Sequence, residues 1–377
     1  MGALRAESAR VSQWTQRSVG AAWRRYDLQM TIYALLLACV GLVMAYTNSV
    51  EGGASALTAG STFTRGLMWA GIAIVAFMVA TVFDYRWLRT FAWPLYFANL
   101  GLLGLTLAVG TEVNGSQRWV EIAGFQFQFS ELAKVLMIVV LANYLASRDG
   151  KLDSPFSILG ACILVVPAWV LVLYQPDLGT SLVFGAIVAG MLFMSGASLR
   201  WLLALVGAVL AALPFIWTNV LKDYQQQRIL AFLDPSADPQ GAGFQLAQAQ
   251  IAVGSGGLTG TGLTNGTQNR LDFLPVQATD FVFAILAEEL GFLGAMVVFA
   301  LIIALLFRIL VCAWRSRDPF GALVASGLAS MILFQFVVNV GMVIGIMPIT
   351  GIPLPFVTHG GASLISLAIG LGILQSV

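Results

Sequence analysis

Apolar residues in this chain come in long uninterrupted runs, not in the alternating or one-sided patterns of a water-soluble core. Runs long enough to cross the ~30 Å hydrocarbon layer of a membrane occupy residues 28–47, 66–83, 91–109, 131–146, 156–174, 178–195, 199–220, 280–312, 320–346 and 361–377. Each predicts a spanning helix, because backbone in lipid must satisfy its own hydrogen bonds. The pattern therefore predicts an all-α, polytopic integral membrane protein with about ten spans. Several runs fall short of the usual ~20 residues, so those helices must borrow flanking residues or lie against neighbours. The first run is too long for the apolar core of a cleaved signal and is taken as a span. The sequence shows no repeat at a solenoid period.

Polar residues between the runs set an orientation. With a cytoplasmic N-terminus, thirteen of the 19 Lys and Arg residues fall on the cytoplasmic side, as the positive-inside rule requires. Residues 1–27 then read as a basic, aromatic-bearing interfacial segment, and residues 28–377 as a single membrane domain. All the long connections, 48–65, 110–130, 221–279 and 347–360, lie outside. The largest, 221–279 between spans 7 and 8, far exceeds the usual ~12–15 residues of an unstructured loop. Its apolar residues, among them Phe232, Leu246, Leu258 and Phe273, predict packing on the membrane domain, with an amphipathic helix over 243–253.

Composition sharpens this picture by exclusion. The 377 residues are 59% hydrophobic and 10% charged, against ~25% charged in soluble domains. The net charge of +1 says nothing about nucleic acid, but Lys and Arg are dispersed and form no basic patch with interleaved aromatics, so no nucleic-acid partner is expected. Cys39, Cys162 and Cys312 lie inside apolar runs without metal-ligand spacing. The glycine-rich stretch 254–262 lacks a GxGxxG register, a Lys-Ser/Thr pair and a preceding strand, which excludes a nucleotide. Its glycines are expected to allow tight turns over a ligand or against helices.

Ionisable groups near or within the spans carry the candidate chemistry, since each is expensive there, by ~2.5–3.5 kcal/mol on insertion scales. Ser130 occupies an expected N-cap, Glu131 the first turn, and Lys134 the same face three residues on. A cation near a positive helix N-terminus calls for an anion; a phosphate-bearing ligand would supply one, with Arg118 as a fork-shaped second contact. Asp177, behind Pro176, is expected to cap the following helix. Thr279 or Asp280 either caps the next span or, for Asp280, provides a general base. The helix N-terminus favours its carboxylate and a water-poor pocket disfavours it, a balance that suits proton abstraction. Glu288 and Glu289, two turns deeper, are read as structural, paired or protonated. The Pro- and Gly-rich stretch 348–361 predicts irregular backbone lining a cavity, and His359 within it is read as a hydrogen-bonded structural residue.

Gln117-Arg118-Trp119, Ser130-Glu131-Leu132-Ala133-Lys134, Gln175-Pro176-Asp177-Leu178-Gly179-Thr180 and Thr279-Asp280-Phe281-Val282-Phe283-Ala284-Ile285-Leu286-Ala287-Glu288-Glu289-Leu290-Gly291 together resemble the shape, elongation, division and sporulation family. The resemblance runs from Tyr26 to the last span, and Gly266-Thr267-Gln268 with Phe273-Leu274-Pro275 is closer to the rod-shape branch than to the division branch. His359 departs from the Tyr usual before Gly-Gly. What the resemblance implies is a ten-span peptidoglycan glycosyltransferase polymerising lipid II at the external face of the bacterial inner membrane during cell elongation. Asp280 would take the proton of the acceptor 4-hydroxyl. Arg118, Lys134, Glu131, Gln117, Ser130 and Thr279 would contact pyrophosphate and sugar, and Asp177, Glu288, Glu289 and His359 would shape the cavity. A divalent cation, magnesium or manganese, held by Asp280 and substrate phosphates is the cofactor this chemistry admits. The implied partners are a class B penicillin-binding protein and other elongation-complex membrane proteins. Two rivals stand: a lipid II flippase, which needs polar groups continuing to the cytoplasmic half, and a noncatalytic scaffold, in which Asp280 is dispensable.

Overall fold

The computed structural model describes residues 26–50, 58, 61–113, 116–122, 125–148, 154–235, 238, 241–267, 280–358 and 360–377. The basic N-terminal segment 1–25 and the stretch 268–279 lie outside the described residues. Each apolar run holds one helix: α1 (Leu28–Val50), α2 (Thr62–Val82), α4 (Ala92–Val109), α5 (Phe129–Ala146), α6 (Pro155–Tyr174), α7 (Leu178–Met194), α8 (Leu199–Asn219), α11 (Val282–Arg315), α12 (Pro319–Val343) and α13 (Gly361–Gln375). Shorter helices α3 (Tyr85–Thr90), α9 (Asp223–Leu233) and α10 (Ala242–Ser255) lie between them. Eight of the helices are long and apolar enough to cross a membrane, while α7 and α13 are apolar but shorter. The protein is a multi-pass membrane protein of helical architecture.

The helices sort into a centre and a periphery. α12 packs against α5, α7 and α11, and α13 against α2 and α5. α5 and α12 bury two thirds of their apolar windows, whereas no residue of α8 is buried. A small residue allows the central approach: a Cβ on Gly327 of α12 would stand 2.7 Å from Ile138 of α5 and 2.8 Å from Met191 of α7. At the end of the bundle farthest from the start of α11, Asp27 accepts two hydrogen bonds from Arg308, at 2.9 and 2.6 Å. Its backbone exchanges two more with Gln375, and its Oδ1 accepts from Met30 N at 3.0 Å, so one residue joins α1, α11 and α13.

The 110–130 connection, expected as a loop, contains three strands, β1 (Thr111–Val113), β2 (Ser116–Ile122) and β3 (Phe125–Phe127), forming an antiparallel meander in the order β1-β2-β3. Thr111 stands opposite Trp119, and Val120 opposite Phe127. Aromatic and β-branched residues alternating with polar ones favour this arrangement, a period that a search for long apolar runs does not register. Within 221–279, α10 appears where an amphipathic helix was expected. Its Leu246, Ala249 and Ala252 are buried on one stripe, and it packs on α11 and α12.

α11 is two helices joined at Gly291, whose φ of 67° and ψ of −167° no side-chain-bearing residue readily adopts. The glycine-rich stretch 254–262 satisfies the break. Thr261 N and Gly262 N donate to the carbonyls of Glu288 and Glu289 at 2.9 and 3.1 Å, and Phe292 N and Leu293 N donate to those of Gly257 and Leu258 at 2.9 and 3.1 Å. Irregular backbone inside an apolar helix is tolerable because a second segment supplies these bonds. The glycines thus serve close packing against a helix, one of the two uses expected of them.

Candidate active site

Four chain segments meet at the start of α7. Asp177 caps it as the sequence suggested: Oδ1 accepts from Thr180 N at 3.0 Å and Oδ2 from Thr180 Oγ1 at 2.8 Å. Gln128 Nε2 adds a bond to Oδ2 at 2.9 Å, and Ser130 Oγ one at 3.4 Å. Arg118, brought in by β2, spreads its guanidinium over the same turn. Nε donates to Gln175 O at 3.1 Å and Nη2 to Pro176 O and to Tyr224 Oη, the latter at 3.0 Å. Nη1 stands 3.9 Å from Asp177 Oδ1. Tyr224 of α9 in turn donates to Pro176 O at 2.6 Å.

Ser130 is not the cap of α5. The helix begins at Phe129 with Gln128 in the cap position and no side-chain cap bond. Ser130 faces inward because its hydroxyl is bonded to Asp177 and receives Gln128 Nε2 at 2.9 Å. One turn on, Lys134 donates to Glu131 at 2.7 Å, with side chains only 1% and 6% exposed. The anion that Lys134 needs near a helix N-terminus is supplied within the protein. Gln117 is exposed on β2.

Asp280 lies two residues before the start of α11, and the cap position belongs to Phe281, which carries no side-chain cap bond. The expected capping role is therefore not filled by Asp280, and Thr279 lies outside the described residues, as does His359. The carboxylate is half-buried and its backbone is fixed from below: Asn339 Nδ2 donates to Asp280 O at 3.0 Å and to Ile352 O at 2.8 Å. This amide ties the start of α11 to the irregular stretch before α13, which the Pro and Gly content foretold. That stretch crosses the start of α7, with Thr350 O 2.7 Å from the Cβ position of Gly179. A Cβ on Gly351, which has φ +70°, would stand 3.3 Å from Asp280 Oδ2 and 3.7 Å from Arg228 Nη1. Asp280 and Arg228 thus face a common point above a residue with no side chain. Asn339 Oδ1 and Thr350 Oγ1 beside it are buried without hydrogen-bond partners among the described residues. Such atoms call for water or a ligand.

Sequence reasoning counted Arg228 only as an external charge and overlooked Asn339 and Tyr224. Tyr224 and Arg228 stand one helical turn apart, with the guanidinium 5.8 Å from the ring centre, a spacing visible in the sequence once 223–233 is taken as a helix. Asn339 could have been found as an amide inside an apolar run. Glu288 and Glu289 are fully buried. Glu288 Oε1 accepts from Thr267 N at 2.6 Å and Thr267 Oγ1 at 2.9 Å, so this carboxylate anchors the glycine-rich segment. Among the described residues no group of three or more His, Cys, Asp or Glu could hold a metal ion.

A polar site at the helix ends of an apolar bundle, with its carboxylate on the segment entering α11, defines a membrane-embedded site of enzyme character. The chain matches the FtsW/RodA/SpoVE family of cell cycle proteins over residues 27–377 and belongs to that family. It is 39% identical over 356 residues to the peptidoglycan glycosyltransferase MrdB of Escherichia coli strain K12, covering 94% of each chain. It is 37% identical over 355 residues to the stage V sporulation protein E of Bacillus subtilis strain 168, covering 93% of this chain and 96% of that one. Among solved structures it resembles a chain from a work on the structural coordination of polymerization and crosslinking by a peptidoglycan synthase complex, with TM-score 0.78, 33% identity, and 93% and 96% coverage. The crystal structure of the rod shape determining protein RodA of Thermus thermophilus is similar at TM-score 0.68 and 30% identity over the same shares.

Proposed function

We propose that this protein is a peptidoglycan glycosyltransferase that polymerises lipid II into glycan strands during cell elongation, with Asp280 as general base. The observation that carries the reading is Asp280 itself. Its carboxylate does not cap α11, its backbone is pinned by Asn339, and its Oδ2 lies above Gly351, next to Thr350, whose Oγ1, like Asn339 Oδ1, is buried without a hydrogen-bond partner among the described residues. In the reaction, Asp280 accepts the proton of the acceptor sugar's 4-hydroxyl as that oxygen bonds to the donor's anomeric carbon. The bond from that carbon to the lipid diphosphate breaks, and the diphosphate departs with the electron pair. Asp177, Arg118, Gln128 and Ser130 hold the floor of the site, and the Glu131–Lys134 pair fixes the first turn of α5. A magnesium or manganese ion would be held here by the Asp280 carboxylate and would take its other ligands from the diphosphate and water.

The similarity to MrdB and to a chain of a peptidoglycan synthase complex supports the assignment. It also supports a class B penicillin-binding protein as partner, with other elongation-complex proteins nearby. The distribution of Lys and Arg supports placement in the bacterial inner membrane with the N-terminus cytoplasmic and the site external. The flippase reading is disfavoured because Glu131, Lys134, Asp177 and Asp280 gather at one end of the bundle, while the described ion pairs at the other end, Arg308 with Asp27 and Arg89 with Asp318, are ties between helices and their ends. A vesicle assay decides. Purified protein with its partner, reconstituted with lipid II, is expected to yield glycan polymer. Lipid II that changes leaflet without being polymerised would establish the transporter instead.

A further inference from the structure

Of the cations around the site, two are already engaged. Lys134 is bonded to Glu131 at 2.7 Å, with 1% of its side chain exposed. Arg118 gives Nε and Nη2 to Gln175, Pro176 and Tyr224. Arg228 differs. Among the described residues its guanidinium makes no salt bridge or hydrogen bond and rests near the Tyr224 ring, and its Nη1 reaches the point above Gly351 that Asp280 Oδ2 also faces. Tyr224 holds α9 in register through Pro176 O and Arg118, so Arg228 is carried on a fixed helix and not on a loose loop.

Resting on the glycosyltransferase reading above, we infer that Arg228 is the residue that binds the diphosphate of the lipid-linked substrate, opposite the Asp280 carboxylate and across Gly351. Three features fit this role. A planar guanidinium presents parallel N–H donors to phosphoryl oxygens. A half-buried, ring-backed cation retains more of its field than a solvated one. The absent side chain at Gly351 leaves room for a phosphoryl group between guanidinium and carboxylate. The diphosphate would lie on the Arg228 side and the acceptor hydroxyl on the Asp280 side, which is the order displacement at the anomeric carbon requires.

The test uses the full-length protein in lipid nanodiscs, in an Asp280→Asn background that removes the proposed base. Equilibrium binding of undecaprenyl diphosphate and of undecaprenol is measured with Arg228, with Arg228→Gln and with Arg228→Lys. Loss of a charge-assisted bidentate contact is expected to weaken diphosphate binding about tenfold or more in Arg228→Gln, with undecaprenol binding unchanged and partial recovery in Arg228→Lys. In the chain with Asp280 intact, Arg228→Gln raises KM for lipid II. Unchanged diphosphate affinity in Arg228→Gln overturns the inference. So does parallel loss of both ligands in both variants, which would make Arg228 a structural residue. Failure of the base reading shows separately, as polymer made by Asp280→Asn, and leaves the diphosphate measurement standing.

Discussion

One glycine and one ion pair near the site answer to different physics. Gly351 sits at φ +70° between a carboxylate and a guanidinium. Alanine there adds backbone strain of ~1–2 kcal/mol and places a methyl group against both heads. Gly351→Ala is expected to keep the fold and lose most polymerisation, a split read by comparing thermal unfolding in detergent with glycan yield. The Glu131–Lys134 pair responds in the opposite way. Removing one partner of a buried pair leaves an uncompensated charge and costs ~3–5 kcal/mol, whereas replacing both is much milder. Lys134→Met alone should therefore lower the unfolding temperature more than the double change Glu131→Gln with Lys134→Met. Equal destabilisation by single and double variants would show that the pair is not what fixes this turn.

At the scale of elements, the broken helix α11 and the glycine-rich strap form one unit. Gly291→Ala would force a side chain into a glycine-only conformation and set its Cβ 2.2 Å from Gly260 N. Severe loss of folded protein is expected, measured as monodisperse yield after extraction, and Gly291→Ala behaving like wild type would refute the strap. Much of the element plan was legible in the sequence. The long apolar runs gave the spanning helices, the amphipathic pattern over 243–253 gave α10, and Pro176-Asp177 gave the start of α7. The small sheet escaped because alternation over a few residues is a weak signal beside twenty-residue apolar runs. Ser130 was misplaced as a cap, and the capping alternative for Asp280 is not the one formed, for a related reason: both residue types suit an N-cap locally, and only tertiary contacts decide otherwise. Ser130 is drawn inward by Asp177, and α11 starts two residues beyond Asp280, with Phe281 in the cap position.

At the scale of the molecule, the arrangement separates support from chemistry. α5 and α12 form the buried centre, and α8 lies at the rim with no buried residue. The site gathers where α5, α7 and α11 begin, from residues as distant in sequence as Arg118, Asp177, Arg228, Asp280, Asn339 and Gly351. Sequence motifs nominated the residues on helix starts, where capping rules speak. They passed over Arg228 and Asn339, which helix spacing and an amide inside an apolar run could have flagged but whose roles come from what long-range packing sets beside them: Gly351 for one, and the backbone of Asp280 and Ile352 for the other.

The central claim, that Asp280 is the base of a membrane-embedded glycosyltransferase, is tested most directly by one rate. Lipid II polymerisation is measured for the purified protein with its partner, wild type against Asp280→Asn. A drop of ~10²–10⁴-fold with unchanged unfolding temperature and unchanged lipid II binding is predicted. Polymer made by the Asn variant at the wild-type rate would contradict it.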